Sequence, residues 1–219
     1  MNIYDVFKSS SQQVIIVFIV GMFLYFLNKV IFKKKQNNLS FNDYLGLTFS
    51  KKQLDPKFFL ILFTVILYAV ISTYLQFNYS FELKTLILND NSPYYKILKN
   101  GFGGSAFILG IIYCFIQAGA SEELLFRGVI GKRLFNRFGN QTGNIIQALI
   151  FWIMHLLIVR FMTGSWISFI QAYTFFTSFG LGLICGWVNF RNDGNGIFPS
   201  WIIHSFVNFA TFLTLSCMI

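Results

Sequence analysis

The chain of 219 residues is 55% hydrophobic and 20% aromatic, with only 11% charged residues, far below the roughly one-quarter charged content of a soluble domain. Twenty-nine Phe and ten Tyr would be hard to cover with a water-soluble surface, whereas lipid accepts them, so the composition points to an all-α, polytopic transmembrane bundle. The net charge of +9 would suit a nucleic-acid partner only as a basic face on a folded module; here the basic residues lie between apolar runs, and no nucleic acid is expected.

A spanning helix needs ~20 mainly apolar residues, and six runs qualify: 14–32, 58–75, 106–126, 143–161, 166–190 and 197–219. About six spanning helices are therefore expected, with nothing left over for a soluble catalytic domain. The first run lacks a small-residue cleavage pattern and its lysines follow it, so it reads as a retained helix rather than a signal peptide. The polar stretch 33–57 carries Lys33, Lys34, Lys35, Lys51, Lys52 and Lys57. The longest connection, 76–103, holds Asn89, Asp90, Asn91, Pro93, Gly101 and Gly103 and reads as an outer-face loop with an interfacial segment. Turns are expected at Gly139–Gly143 and at Asn189–Gly196, and Pro199 suits the first turn of the last helix. Residues 1–104 form an N-terminal region without a motif; 105–219 form the motif-bearing core of the same membrane domain.

Eleven basic residues in the loops after the first, third and fifth runs face five on the other side. The positive-inside rule then puts both termini outside. The abundance of Phe, Ile, Asn and Lys hints at an AT-rich genome and a bacterial cytoplasmic membrane. Cys114, Cys185 and Cys217 lie in apolar runs at no metal-like spacing and read as packing residues. Gln117, Asn144, Gln147 and Gln171 read as interhelical hydrogen-bonding groups, and Gly180, Gly182 and Gly186 as points of close helix approach.

An ionisable side chain at mid-membrane costs ~2.5–3.5 kcal/mol on insertion scales and is a functional candidate by default. Glu122, Glu123 and Arg127 end the third run, His155 lies within the fourth, and His204 and Asn208 lie within the sixth; these include both histidines of the chain. Glu122 and His155 are symmetric about a turn at Phe138–Gly139, so in an antiparallel hairpin both sit roughly 24 Å of helical rise from it. His204 and Asn208 are four apart and share a helix face, as do Glu123 and Arg127. A carboxylate and an imidazole sharing one water can deprotonate it as it attacks a carbonyl, the roles expected of Glu122 and His155. A second imidazole and an amide NH2 can hold the resulting oxyanion, the roles expected of His204 and Asn208. Glu123 and Arg127 read as a supporting ion pair. Every Asp lies in a terminus or loop, so no Ser-His-Asp set is evident.

These segments resemble the CPBP intramembrane proteases, which include the CAAX prenyl endopeptidases and the bacteriocin-processing and bacteriocin-immunity proteins. Their pattern E-E-x-x-x-R is met by Glu122, Glu123 and Arg127, F-x-x-x-H by Phe151 and His155, and H-x-x-x-N by His204 and Asn208. The resemblance covers about residues 105–210. It implies an intramembrane endopeptidase with the same four catalytic residues, a site opening toward the cytoplasm, and a membrane-associated peptide or protein substrate, lipidated or not. No cofactor is expected, although family members are often labelled metalloproteases and Glu122, His155 and His204 supply the residue types of a zinc site. Two readings of other classes stand beside it: a non-catalytic scaffold or bacteriocin-immunity protein, and a small proton-coupled transporter that uses the same groups as a relay.

Overall fold

The computed structural model describes residues 3–31, 40–164, 168–191 and 196–219. Among them there is no strand. The helices are α1 (Ile3–Ile31), α2 (Phe41–Leu45), α3 (Pro56–Tyr79), α4 (Phe81–Ile87), α5 (Pro93–Leu98), α6 (Gly104–Phe138), α7 (Asn140–Thr163), α8 (168–190) and α9 (Phe198–Ser216). Five of these, α1, α3, α6, α7 and α9, are long and apolar enough to cross a membrane. The expected fifth span, 166–190, is helical throughout its described part, 168–190. Residues 166 and 167 lie outside the described residues.

Local chemistry sets the ends. Asp55 caps α3 by accepting the Phe58 amide at 2.9 Å, and Pro56 follows where a missing N–H costs nothing. The α6–α7 turn is tighter than the expected 139–143: Gly139 alone breaks the helix at φ 78°, and Asn140–Gly143 already belong to α7. A Cβ on Gly143 would lie 2.7 Å from the Leu134 carbonyl carbon, which shows how closely the hairpin legs meet. The 76–103 connection holds the two short helices α4 and α5.

Helix α6 is not a regular α-helix. Residues Ile112–Ala120 and Leu124–Gly131 are π-helical, on either side of one α-turn at Ser121–Glu123. Wider π turns shift carbonyls out of the i→i−4 ladder and are frequent at functional sites. Around α6, α9 packs against α3, α6 and α8, α7 packs against α8, and α1 lies along the outside of α6.

The expected amide links are seen for three residues. Asn144 and Gln147 of α7 donate to the Leu183 and Gly182 carbonyls of α8 at 3.0 and 2.7 Å, and the Ser10 hydroxyl donates to Gln117. Gln171 makes no side-chain hydrogen bond among the described residues. Gly182 and Gly186 are close-approach points, against Ala148 and Asn144, whereas Gly180 has nothing within 4 Å. Cys114 and Cys185 are buried as packing residues, but Cys217 is exposed at the end of α9.

The polar stretch 40–55 is more ordered than its composition suggests. Leu45 is fully buried against Val17, Leu124, Val129 and Ile197, and the Gly46 carbonyl accepts the Ile197 amide at 2.9 Å. Gln53 donates to the Asn189 carbonyl at 2.8 Å, and Asp55 pairs with Arg191. The segment thus clasps the end of α8 and the start of α9.

Candidate active site

Three helices bring the polar residues together. Glu122 and Glu123 sit on the single α-turn between the π stretches of α6, His155 lies two-thirds of the way along α7, and His204 lies two turns into α9. The start of α9 does not share the level of the α6–α7 turn: Ile197 packs on Leu124 and Val129. His204 therefore reaches Glu122 after roughly 9 Å of helical rise, against roughly 24 Å for Glu122 from the end of α6.

The centre is the Glu122 carboxylate. Its Oε2 lies 3.8 Å from His155 Nε2 and 3.9 Å from His204 Nε2, and this oxygen has no direct hydrogen-bond partner. Gaps of this length are too long for a direct hydrogen bond and suit one bridging water. The His155 and Glu122 side chains are about a quarter to a third exposed, although the Glu122 Oε2 atom itself is buried.

Glu123 points the other way and is fully buried. Its Oε1 lies 2.9 Å from the Arg127 guanidinium and 2.8 Å from His204 Nδ1. The expected i,i+4 ion pair is present, and it has a third member that the sequence spacing did not reveal. The Arg127 contact is an ion pair rather than a hydrogen bond: the guanidinium nitrogens and Glu123 Oε2 have no hydrogen-bond partner among the described residues, and the two buried charges balance each other.

The second nitrogens of the imidazoles define their chemistry. His155 Nδ1 donates to the Phe151 carbonyl at 2.8 Å, because a carbonyl can only accept, which leaves Nε2 as the acceptor facing Glu122. His204 donates from Nδ1 to the Glu123 carboxylate, which Arg127 also holds, and so turns Nε2 toward Glu122. Phe151 fixes the rings: its centroid lies 4.3 Å from that of His155, 5.7 Å from that of His204 and 4.3 Å from the Arg127 guanidinium carbon.

The two π stretches position the acids against α9. Trp201 Nε1 donates at 2.8 Å to the carbonyl of Phe115, within the first π stretch. Gly119 faces Trp201 and Ser205, and a Cβ there would collide with the Ser205 hydroxyl. α9 is therefore pinned to α6 on both sides of His204, one turn before the acids. On the second stretch, Gly128 lets the Leu45 carbonyl approach within 2.6 Å of where a Cβ would stand.

Beside these groups lies a cavity of about 590 Å³, bounded by α3, α7, α8 and α9 and by Tyr94 of α5. Phe151, His155, His204 and Asn208 line it, so Asn208 shares the space of the two histidines, as its spacing from His204 requires. The Tyr94 hydroxyl, 3.5 Å away, donates to the Asn208 main-chain carbonyl. Sequence reasoning missed Tyr94, Trp201 and the entire α3 wall, Thr64 to Thr73. Only a stripe of hydroxyl and small residues on α3 signalled that wall.

Among the described residues no group of three or more His, Cys, Asp or Glu is arranged to hold a metal ion. Were Glu122 a ligand, the remaining carboxylate, Glu123, would already be engaged by Arg127 and His204, with none free to act on water.

Residues 102–210 match the family model described as type II CAAX prenyl endopeptidase Rce1-like. No curated protein and no solved structure matches the chain.

Proposed function

The chain belongs to the CPBP/CAAX protease family through its Rce1-like core at residues 102–210 and is an integral membrane protease, and on that premise we propose that it hydrolyses peptide bonds through a water shared by Glu122 and His155. The observation that carries this reading is the Glu122 Oε2 atom, set 3.8 Å and 3.9 Å from the Nε2 atoms of two histidines. Glu122 takes the proton of the attacking water, and the new O–C bond converts the scissile carbonyl into a tetrahedral oxyanion. His204 Nε2–H and the Asn208 amide stabilise that oxyanion. As it collapses, the C–N bond breaks and the leaving nitrogen takes the proton held by Glu122 or, through it, by His155. Glu123 and Arg127 keep His204 oriented. No step requires a metal.

The substrate is a membrane-associated peptide or protein bearing a lipid such as a prenyl group, reached from the cytoplasmic leaflet. The basic loops argue for a site facing the cytoplasm and for termini on the opposite side. The test is cleavage of a farnesylated peptide by the purified, detergent-solubilised chain, compared with Glu122→Gln and His155→Ala. A loss of at least about 100-fold in both is expected for removal of acid–base partners. Equal cleavage by all three would reject the assigned roles, and inertness of all three with function kept in cells would return the scaffold reading.

A further inference from the structure

The cavity beside the histidines has an unusual wall for a membrane interior. On α3, Thr64, Tyr68 and Ser72 form one row at spacing four, and Val65, Ala69 and Thr73 form the row beside it. Thr73 and Ser178 are more than nine-tenths buried, and they and Thr211 line the cavity from three different helices. Among the described residues no hydrogen bond engages these three hydroxyls, nor the Asn208 side-chain amide. Thr64, by contrast, satisfies itself by donating to the Leu60 carbonyl, and Thr177 by donating to that of Tyr173.

A hydrocarbon chain in this space would leave these hydroxyls without a partner, at a cost comparable to a lost hydrogen bond. Extended peptide main chain has the opposite need. Inside a bilayer each of its N–H and C=O groups must find a partner, and an extended segment has none of its own. Hydroxyls suit it because each can both donate and accept, and apolar side chains of the peptide can rest against Val65, Leu181 and Val207 on the same walls.

Resting on the hydrolytic reading above, we propose that this cavity binds substrate as extended peptide main chain, hydrogen-bonded by Thr73, Ser178 and Thr211, and leaves any attached lipid chain in the surrounding bilayer. The selectivity this confers is for an unwound peptide segment, with the lipid serving to bring the substrate to the membrane. The substrate would then be drawn from segments that lack stable helix next to the scissile bond.

The test reads binding apart from turnover. The full-length Glu122→Gln protein in detergent is titrated with a fluorescein-labelled peptide carrying a cysteine near its C-terminus, made with and without a farnesyl thioether. A second series of the plain peptide carries a single N-methyl group on each backbone amide in turn. The plain peptide should bind, and N-methylation at one or more amides should weaken binding about fivefold, the worth of one neutral hydrogen bond. Thr73→Val and Thr211→Val should weaken the parent peptide similarly and add nothing for the N-methylated peptide that has already lost that bond. The assignment is overturned if no plain peptide binds, or if affinity follows the farnesyl group and ignores N-methylation and both valines. Because the N-methyl series leaves these walls unaltered, a poorly folded valine variant does not decide the result. Wild-type cleavage of the same peptides is measured alongside. Methyl-sensitive binding without cleavage rejects hydrolysis alone, and cleavage with methyl-insensitive binding rejects the main-chain assignment alone.

Discussion

His204 turns Nδ1 toward Glu123 at 2.8 Å, and so joins α9 to α6 through a carboxylate that Arg127 already holds from the same helix. The two adjacent glutamates thus divide the work. Glu122 is partly exposed and lacks a direct partner at Oε2, whereas Glu123 is sealed within a three-member network.

Glu123→Gln removes the charge that balances buried Arg127. Breaking a buried pair by removing one partner costs about 3–5 kcal/mol, so this variant should melt well below wild type in detergent and lose cleavage. Replacing both Glu123 and Arg127 by Met should restore much of the melting temperature but not turnover, because His204 then lacks its acceptor. Recovery of activity in the double variant would show that the network serves stability alone.

Glu122→Gln should behave in the opposite way. Its carboxylate oxygen has no protein hydrogen bond to lose, so the melting temperature should stay within a few degrees of wild type while cleavage disappears. A large loss of stability would place Glu122 in the structural network instead.

Gly119→Ala drives a methyl group into the Ser205 hydroxyl. Overpacking of this kind costs about 1–3 kcal/mol, and here the displaced element carries His204. Cleavage should fall mainly in kcat, and adding Ser205→Ala should recover part of it. An unaffected kcat would mean that the α6–α9 distance does not tune the site.

Leu45→Ala empties the position that wedges α1, α6 and the start of α9 together. Large-to-small changes at buried leucines cost about 2–5 kcal/mol, and thermal denaturation followed by loss of cleavage should show it. A change below about 1 kcal/mol would make the clasp a passive linker, well under the usual cost of such a cavity.

Chelation tests the metal question directly. Prolonged treatment with a strong zinc chelator, followed by desalting, should leave the initial rate within twofold of the untreated protein. A loss that added zinc restores would make Glu122, His155 and His204 metal ligands and require another base.

The meeting of Glu122 and His155 was legible because its signals are local: charged residues are rare enough in apolar runs that Glu122, His155 and His204 stood out, and symmetry about Phe138–Gly139 set a shared depth for Glu122 and His155. Other parts were not legible for physical reasons. The link from Glu123 to His204 depends on where α9 starts, and this is set by Ile197 meeting Gly46 rather than by hydropathy. The α3 wall carries no charge, so Thr73 looks like any threonine in a lipid-facing helix. The π stretches of α6 leave no periodic signature, since Phe115 and Gly119 fit an ordinary apolar run equally well. The stretch at 40–55 reads as a solvated loop until Leu45 is seen at zero exposure.

The bond from Ile197 to Gly46 also orders the birth of the protein. Residues 40–55 leave the ribosome long before α8 and α9, yet their partners Asn189, Arg191 and Ile197 arrive only with those last helices. During synthesis Glu122 and His155 can already meet in the α6–α7 hairpin, while His204 and Asn208 have still to be inserted. On the mechanism proposed above, the four residues are complete only when α9 docks against α6 and the residues at 40–55 close over its first residue.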